Sequence, residues 1–171
     1  LPELIGRFGA ELLGKANYAR FGQEFPLLVK FIDAREDLSI QVHPDDELAR
    51  KRHGKSGKCE MWYVLEAEPG ASLLTGFSRP IAPEYERRVA DNTLTDVLNR
   101  QAIASGDVFY LPAGRVHSIG KGSFIVEIQQ SSDITYRIYD FDRRDAAGNS
   151  RELHTELARE AIDFESSENS R

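Results

Sequence analysis

Apolar and polar residues alternate with the two-residue period of a β-strand at the start of the segment 38–65, LSIQVHPDDELARKRHGKSGKCEMWYVL. Successive side chains of a strand point to opposite faces, so Ile40 and Val42 share one face. The polar side chains share the other face: Ser39, Gln41 and His43. Pro44 ends this strand, and the charged segment 46–53 is typical of a short helix with a solvent-exposed face. The aromatic and β-branched run CEMWYVL then predicts a second strand.

The same periodicity predicts a mainly β chain with a few helices around it. Further strands are predicted over 25–32, 71–77, 107–111, 115–119, 124–130 and 134–141. Helices are predicted over 3–13, 83–100 and 152–164, and the tail 166–171 is expected to be frayed. The continuous apolar run from Phe25 to Ile32 predicts a strand that is buried on both faces. Lys30 interrupts that run, and its side chain either reaches a sheet edge or points into the mouth of a site.

Length and composition fit one globular domain, which we expect to cover residues 1–165. Hydrophobic residues make up 40% and charged residues 29% of the 171 positions, which is ordinary for a soluble protein. The net charge of −6 argues against nucleic acid or an anionic membrane as a partner. No apolar run approaches the roughly 18 residues of a membrane span.

Cysteine content indicates the compartment. Cys59 is the only cysteine, so an internal disulfide is impossible and the reducing cytoplasm is the expected location. Strand alternation places Cys59 on the face opposite its neighbour Glu60, and we expect the thiol to be packed in the core.

Four residues offer nitrogen or oxygen donors in positions that suit a metal site. Glu60 lies in the second strand, on a face that it shares with Lys58 and Trp62. His117 closes the segment 106–117, GDVFYLPAGRVH, which predicts a strand, a tight Pro and Gly turn, and a histidine at the start of the next strand. The candidate ligands are Gln41, His43, Glu60 and His117. This mixed set suits a borderline divalent ion such as zinc, with iron, manganese or cobalt possible on chemistry alone.

These segments resemble the motifs of a known protein family. The spacing G(X)5PXGXXH within 106–117 is similar to the second motif of the cupins, small jelly-roll barrels with a metal in the mouth. The residues QVH, followed by Glu60, resemble a variant of the first cupin motif. Longer phrases resemble, in order and spacing, the bacterial type I phosphomannose isomerases: FPLLVKFIDAREDLSIQVHPDDELA, GKCEMWYVL, GDVFYLPAGRVHSIG and SSDITYRIYDFDRRD. The resemblance runs from about Leu4 to Phe164.

The resemblance implies a cupin jelly-roll barrel and an activity that interconverts mannose 6-phosphate and fructose 6-phosphate. It implies one zinc ion per chain, held by the four candidate ligands, and a small phosphosugar as the binding partner. Family members usually carry further strands before this segment and a smaller β domain after it. The chain is therefore expected to correspond to the metal-bearing core.

The resemblance also implies catalytic and substrate-binding residues. Arg137 and Glu127 match catalytic positions of the family, and Ser39 matches a substrate contact. Lys58 is a candidate for both roles because it lies one strand repeat from Glu60 on the same face, and Arg137 is a further candidate substrate contact. An arginine in an apolar strand must reach water, a carboxylate or an anionic ligand, because burying it unpaired is costly. Lys58 takes part in proton transfer or binds phosphate, and Glu127 is either a base or the ion-pair partner that positions Arg137. Cys59 stands where the family commonly has Thr or Pro, which leaves the ligand set intact.

Two other functions stay open at this point. A non-catalytic sugar-binding or regulatory cupin would keep the metal without turnover. A metal-dependent dioxygenase is also possible, since cupins host that chemistry. Gln41 as a ligand and a cationic pair suited to phosphate speak against the dioxygenase.

Overall fold

Two antiparallel sheets make up the β-structure of the computed structural model, which describes residues 1–165. The first sheet, sheet A, contains in spatial order β1 (Leu27–Ala34), β8 (Ser123–Gln130), β3 (Glu60–Ala67) and β6 (Val108–Leu111). The second, sheet B, contains β5 (Leu98–Ala102), β4 (Ser72–Phe77), β7 (His117–Ile119), β2 (Ile40–Val42) and β9 (Tyr136–Tyr139). The mainly β architecture predicted from the sequence is confirmed.

Short helices flank the sheets. In chain order they are α1 (Pro2–Phe8), α2 (Ala10–Leu13), α3 (Lys15–Phe21), α4 (Asp46–His53), α5 (Tyr85–Ala90) and α6 (Thr155–Ala161). Two 3-10 turns, Ala82–Glu84 and Leu94–Val97, lie on either side of α5. The Asp45 carboxylate caps α4 by accepting a hydrogen bond from the Leu48 backbone N–H at 2.8 Å. Within residues 1–165, none of the helices has the length and apolar content needed to cross a membrane.

The two sheets face each other across a shared interior. Apolar side chains from both sheets fill one half of that interior, which we call the barrel core: Ala34, Trp62, Val64, Leu73, Phe109, Leu111, Ile119 and Ile125. These residues come from alternate positions of their strands, as expected for side chains that point to one face of a sheet.

A second apolar cluster covers the opposite face of sheet B. Ile40 and Val42 of β2 belong to it, together with residues from the helices, including Ala49 of α4, Tyr85 of α5 and Ala158 of α6. The predicted division of β2 into an apolar face and a polar face is therefore confirmed. Because its outer face is buried under helices, β2 directs Gln41 towards the shared interior.

Strand β1 differs from its prediction. The apolar run predicted burial on both faces, but β1 is an edge strand of sheet A and its outer face is open to solvent. Phe31 is 70% exposed, and Leu27 and Val29 are also exposed. The prediction was wrong because no helix covers this side of sheet A among the described residues, and the sequence of β1 alone does not show which faces its neighbours will cover.

The predicted helix limits also need correction. The first helix ends at Phe8, since Gly9 has a positive φ of 45° that breaks the expected 3–13 helix. The expected 83–100 helix is shorter, because Asn92 interrupts it with a φ of 55° and strand β5 begins at Leu98. Helix α6 covers only part of the predicted 152–164 segment. The predicted frayed tail, 166–171, lies outside the described residues.

Candidate metal centre

Three potential metal ligands converge at the other end of the shared interior. One donor atom from each of His43, Glu60 and His117 lies within 4.8 Å of the others. The Nε2 atom of His43 is 3.2 Å from one carboxylate oxygen of Glu60, and the Nε2 atom of His117 is 3.6 Å from the other. All three residues are buried. Sheet B and its flanking loop thus supply two imidazoles that face a carboxylate from sheet A.

Backbone carbonyls orient both imidazole rings. The Nδ1 atom of His43 lies 2.9 Å from the carbonyl oxygen of Ile134, and the Nδ1 atom of His117 lies 2.8 Å from that of Arg115. A carbonyl oxygen only accepts hydrogen bonds, so we assign the ring hydrogen to Nδ1 in both residues. The Nε2 atoms therefore carry their lone pairs towards Glu60, which is the arrangement of a metal-binding histidine with a supporting second partner.

The predicted Pro and Gly turn brings the two ligand segments together. Gly114 adopts a φ of 86°, a conformation that strongly favours glycine, and its N–H donates to the carbonyl oxygen of His43 at 2.9 Å. The turn therefore fixes the position of His43 directly, and it leads the chain into β7, where His117 is the first residue.

Gln41 lies beside the three candidate ligands, on β2, the strand between β7 and β9 of sheet B. It lies opposite His117 on β7 and opposite Arg137 on β9. Its amide nitrogen is 3.3 Å from Nε2 of His117, and its amide oxygen accepts a hydrogen bond from the Ser39 hydroxyl at 3.4 Å. Rotation of the amide by half a turn exchanges these two atoms, so either can face the cluster. The four candidate ligands predicted from the sequence thus lie side by side.

The protonation state of the cluster suits a divalent cation. Burial lowers the pKa of His43 to about 4 and also lowers the pKa of His117. Burial alone would raise the pKa of Glu60, but its contact with His43 and the charges of His117 and Lys58 keep that pKa below its usual value. At neutral pH the cluster therefore presents two neutral imidazoles and one carboxylate, which are common zinc ligands.

Unsatisfied polar atoms provide the test of whether a metal fits. The Nε2 atom of His43 and both carboxylate oxygens of Glu60 are buried and have no hydrogen-bond partner. Leaving such atoms unpaired costs about 1–3 kcal/mol each. Lys58 contacts one Glu60 oxygen through Nζ at 2.7 Å, but without hydrogen-bond geometry. The residues fit a metal ion, because an ion bound by these atoms would satisfy all three.

A second polar cluster lies next to the ligands on sheet A. Glu127 is 3% exposed, and one of its carboxylate oxygens accepts a hydrogen bond from Lys30 at 2.8 Å. The other oxygen accepts a hydrogen bond from the Trp62 indole N–H at 3.1 Å. Lys30 also donates to the Gln129 side-chain oxygen. Glu127 therefore pairs with Lys30 rather than with Arg137, which lies on sheet B.

Lys30 was not predicted as a site residue. The two predicted positions for its side chain, at a sheet edge or in the mouth of a site, are each partly correct. Its strand is at the edge of sheet A, and its side chain turns towards Glu127 while remaining 39% exposed. The interruption of an apolar run by one lysine was the available signal. The strand pairing that places Lys30 directly opposite Glu127 could not be read from the sequence.

Arg137 lies at the edge of sheet B, beside Gln41. Its guanidinium donates to the carbonyl oxygen of Glu152 at 2.9 Å, and its Nε atom is buried without a partner. Burial and the nearby charge of Arg151 lower the pKa of Arg137. The side chain therefore keeps hydrogen-bonding capacity for an anionic group.

Cys59 is less buried than predicted. It is partly exposed, and its sulfur accepts a weak hydrogen bond from the Ala113 N–H at 3.4 Å. The Cys59 thiol also lies beside Tyr110, an exposed residue, and it raises the pKa of that tyrosine. These contacts fit the prediction that Cys59 points away from Glu60. Its expected position inside the core was wrong.

An antiparallel jelly-roll barrel that holds histidine and carboxylate side chains together at one end of its interior is the arrangement of the cupins. Residues 6–77 match the family model for the catalytic domain of type I phosphomannose isomerase. The chain belongs to the type I phosphomannose isomerase family, and the cupin fold expected from the sequence is confirmed.

Individual relatives support this membership. The chain is 43% identical over 146 residues to the mannose-6-phosphate isomerase ManA of Bacillus subtilis, an alignment covering 85% of this chain and 46% of the relative. It is 46% identical over 132 residues to the mannose-6-phosphate isomerase of Streptococcus mutans, covering 77% and 42%. The crystal structure of the mannose 6-phosphate isomerase from Bacillus subtilis superposes with a TM-score of 0.84 at 37% identity, covering 93% and 50%. The chain thus spans about half the length of these relatives.

Proposed function

We propose that this chain carries the active site of a metal-dependent isomerase that interconverts mannose 6-phosphate and fructose 6-phosphate. The observation that carries the proposal is the buried set of His43, Glu60 and His117, with Lys58 and Glu127 beside it, in a member of this family. An aldose–ketose isomerisation moves a proton between C1 and C2 through an enediol. It needs a proton-transfer group, stabilisation of negative charge on the sugar oxygens, and a cation for the phosphate.

We assign one zinc ion per chain to the four ligands Gln41, His43, Glu60 and His117. When bound there, zinc would act as a Lewis acid and stabilise negative charge on the sugar oxygens. The neutral imidazoles, the Nε2 lone pairs that face Glu60 and the unsatisfied Glu60 oxygens support this assignment. Zinc is preferred to the harder ions because two of the four ligands are imidazoles.

Glu127 and Lys58 are the proposed proton-handling pair. In this mechanism the Glu127 carboxylate takes the proton from C2 and returns it to C1. The Lys58 ammonium gives a proton to O1 of the sugar as the enediol forms, and its amine takes the O2 hydroxyl proton as the C2 carbonyl forms. Both side chains are at most 5% exposed, so they would act in a site that excludes most water and strengthens electrostatic interactions.

The phosphate would be bound by cations that remain accessible at the rim. Arg137 is half-buried on the edge strand of sheet B, beside Gln41, and the Ser39 hydroxyl lies deeper, on the same face of β2 as Gln41. Lys30 is a further candidate, since its ammonium is partly exposed. Arginine binds phosphate well through its fixed fork of donors, so we place the phosphate closest to Arg137.

We place the activity in the cytoplasm. The lone Cys59 rules out an internal disulfide, which is compatible with a reducing compartment. Phosphorylated sugars carry a charge that prevents free passage through a bilayer, so an enzyme for them is expected to lie in the compartment in which they form.

The experiment that tests the proposal is a coupled assay of fructose 6-phosphate formation from mannose 6-phosphate. It compares metal-free protein, protein with zinc restored, and a His117→Ala variant whose bound metal is measured separately. Turnover that requires zinc and is lost in the variant is expected. His53→Ala is the matched control, because His53 contacts Tyr136 outside the ligand cluster, and it should keep both metal and turnover.

The alternatives correspond to distinct outcomes. One equivalent of bound zinc without turnover would contradict catalysis by this chain and favour a sugar-binding cupin. Oxygen consumption with added metal would favour a dioxygenase. Failure to retain zinc, together with full turnover, would contradict the metal assignment.

A further inference from the structure

Trp62 occupies the boundary between the barrel core and the polar end of the interior. It is the only tryptophan in the chain and is completely buried. Glu60, two residues earlier on the same face of β3, belongs to the ligand cluster, and Val64, two residues later, belongs to the barrel core. One large side chain therefore contacts both halves of the interior.

The indole N–H holds Glu127. Trp62 lies directly opposite Glu127 on the neighbouring strand β8, and its Nε1 atom donates to one carboxylate oxygen at 3.1 Å. Lys30 binds the other oxygen at 2.8 Å. Lys30 is partly exposed, whereas Trp62 is held on all sides by packed residues. Trp62 is therefore the more rigid of the two partners that orient this carboxylate.

The same ring packs against a candidate metal ligand. The centroid of the Trp62 ring lies 5.4 Å from that of His117, and the two planes are nearly perpendicular at 82°. Such edge-to-face contacts are favourable arrangements of aromatic rings. His117 is already held at Nδ1 by the Arg115 carbonyl, so the Trp62 ring restricts the remaining freedom of the imidazole plane.

We propose that Trp62 is a positioning residue that fixes the Glu127 carboxylate relative to the His117 side of the metal centre. This inference deepens the proposed function and rests on it for its catalytic consequence. A proton-transfer group contributes fully only when it is held in a narrow range of positions relative to the group that stabilises charge. Trp62 provides that geometry with one rigid side chain anchored in the barrel core.

The structural part of the proposal is tested by NMR on the 171-residue chain, without any need for turnover. A single tryptophan gives a single indole N–H signal in a spectrum of ¹⁵N-labelled protein. This signal should exchange slowly with solvent and move upfield in Glu127→Gln, because an amide oxygen is a weaker acceptor than a carboxylate. It should also move when zinc binds, since the ring contacts His117.

The catalytic part is tested with Trp62→Phe, which keeps an aromatic ring but lacks the N–H donor. We expect kcat to fall about tenfold, the lower end of the effect of removing a supporting partner at a metal site. Bound zinc and KM should stay unchanged, because neither the ligands nor the rim cations are altered. In a Glu127→Gln background the same change should have little further effect on kcat, since the two residues act as one unit.

Ile125→Val is the matched control. Ile125 is completely buried in the barrel core, on the same strand as Glu127. This change loosens the packing near Glu127 without removing a polar contact, and kcat should remain at the wild-type value. A similar loss of kcat in Ile125→Val and Trp62→Phe would show that general packing, not the N–H donor, sets the rate.

The outcomes separate this proposal from the proposed function. An active wild-type chain with unchanged kcat in Trp62→Phe would overturn the positioning role. An indole signal insensitive to Glu127→Gln would overturn it as well, whether or not the chain turns over substrate. A chain that binds zinc with the expected indole shifts but shows no turnover would contradict the proposed function. The contacts of Trp62 with Glu127 and His117 would still be established by that result.

Discussion

The two halves of the space between the sheets are built by the same strands but have opposite character. In the barrel core, side chains such as Val64, Leu73 and Ile125 are apolar and packed against one another. At the other end, Glu60 and Glu127 lie on two of those same strands and face histidines and lysines. The change from one character to the other takes a single strand repeat, about 7 Å.

Each of four strands makes this change. Inward residues run from polar to apolar along each strand: Glu60 to Trp62 on β3, Glu127 to Ile125 on β8, Thr75 to Leu73 on β4, and His117 to Ile119 on β7. In sheet B the register places Thr75 opposite His117 and Leu73 opposite Ile119, and in sheet A the change on β8 lies one repeat from that on β3, because Trp62 lies opposite Glu127. The barrel core therefore acts as a rigid base that holds the polar end in place.

The comparison also shows where the fold gives up stability. Of the buried polar side-chain atoms without partners, those of His43, Glu60 and Thr75 lie at the polar end, whereas every residue of the barrel core is apolar. Unsatisfied polar atoms destabilise a fold unless a ligand satisfies them. The polar end is thus expected to gain stability from a bound metal, and the barrel core is expected to be indifferent to it.

The largest effect is expected for Glu60→Gln, which removes the negative charge between the two imidazoles. Zinc affinity should fall by at least about 100-fold, the upper end of the effect of losing a supporting partner alone. The buried Lys58 also loses its counter-charge, so the metal-free variant should be less stable than the wild type. Competition with a chromophoric zinc chelator measures the affinity.

Glu66→Gln is the matched control for that change. Glu66 lies on the same strand, at the far end from the ligands, and its side chain is exposed. Zinc affinity should be unaffected. Equal losses of affinity in Glu66→Gln and Glu60→Gln would mean that overall charge, and not the ligand cluster, determines zinc binding.

Arg137→Ala should lower turnover at least about tenfold, as expected when one group that stabilises developing or bound charge is removed. Zinc should remain bound, because Arg137 lies beside Gln41 rather than among the three converging donors. The coupled assay and a metal analysis on the same sample check both parts. Arg50→Ala, on exposed helix α4, serves as the control, and wild-type turnover in Arg137→Ala would remove this arginine from the mechanism.

Much of the polar end could be predicted from the sequence because its signals are local. Alternation along β2 placed Gln41 and His43 on one face, and the Pro and Gly turn placed His117 at the start of a strand. The contributions of Lys30 and Trp62 depend instead on strand pairing between residues far apart in the chain. Register of that kind is set by the whole sheet, so one strand's sequence does not specify it.

The errors in the predicted fold have the same origin. The apolar content of β1 was taken to mean burial on both faces, but burial depends on what covers a sheet, and the outer face of sheet A is open among the described residues. Similarly, Leu98 was included in the predicted helix 83–100. Its pairing with Phe77 makes it the first residue of β5.

In the barrel core, Leu73→Ala should destabilise the fold by about 2–5 kcal/mol, because it removes buried methyl groups and leaves a cavity. Zinc affinity should stay at its wild-type value, since Leu73 lies in the barrel core and not among the candidate metal ligands. Chemical denaturation of the metal-free protein measures the stability. A large loss of zinc affinity in this variant would contradict the division of the interior into an apolar half and a metal-binding half.

The smallest and sharpest test lies two residues further along β4. Thr75 is completely buried, its hydroxyl has no partner, and it sits directly opposite His117 in the register of β4 and β7. Thr75→Val replaces the hydroxyl with a methyl group of similar size, so it should raise the free energy of unfolding by about 1 kcal/mol. The gain should appear in metal-free protein as a higher denaturation midpoint with an unchanged slope.

Leu73→Ala and Thr75→Val would then change the free energy of unfolding in opposite directions, although they lie at neighbouring inward positions of one strand. This result is expected if the polar end is built at the expense of stability. A loss of stability in Thr75→Val would show instead that this hydroxyl is satisfied and that the two halves differ less in stability than their unpaired atoms indicate.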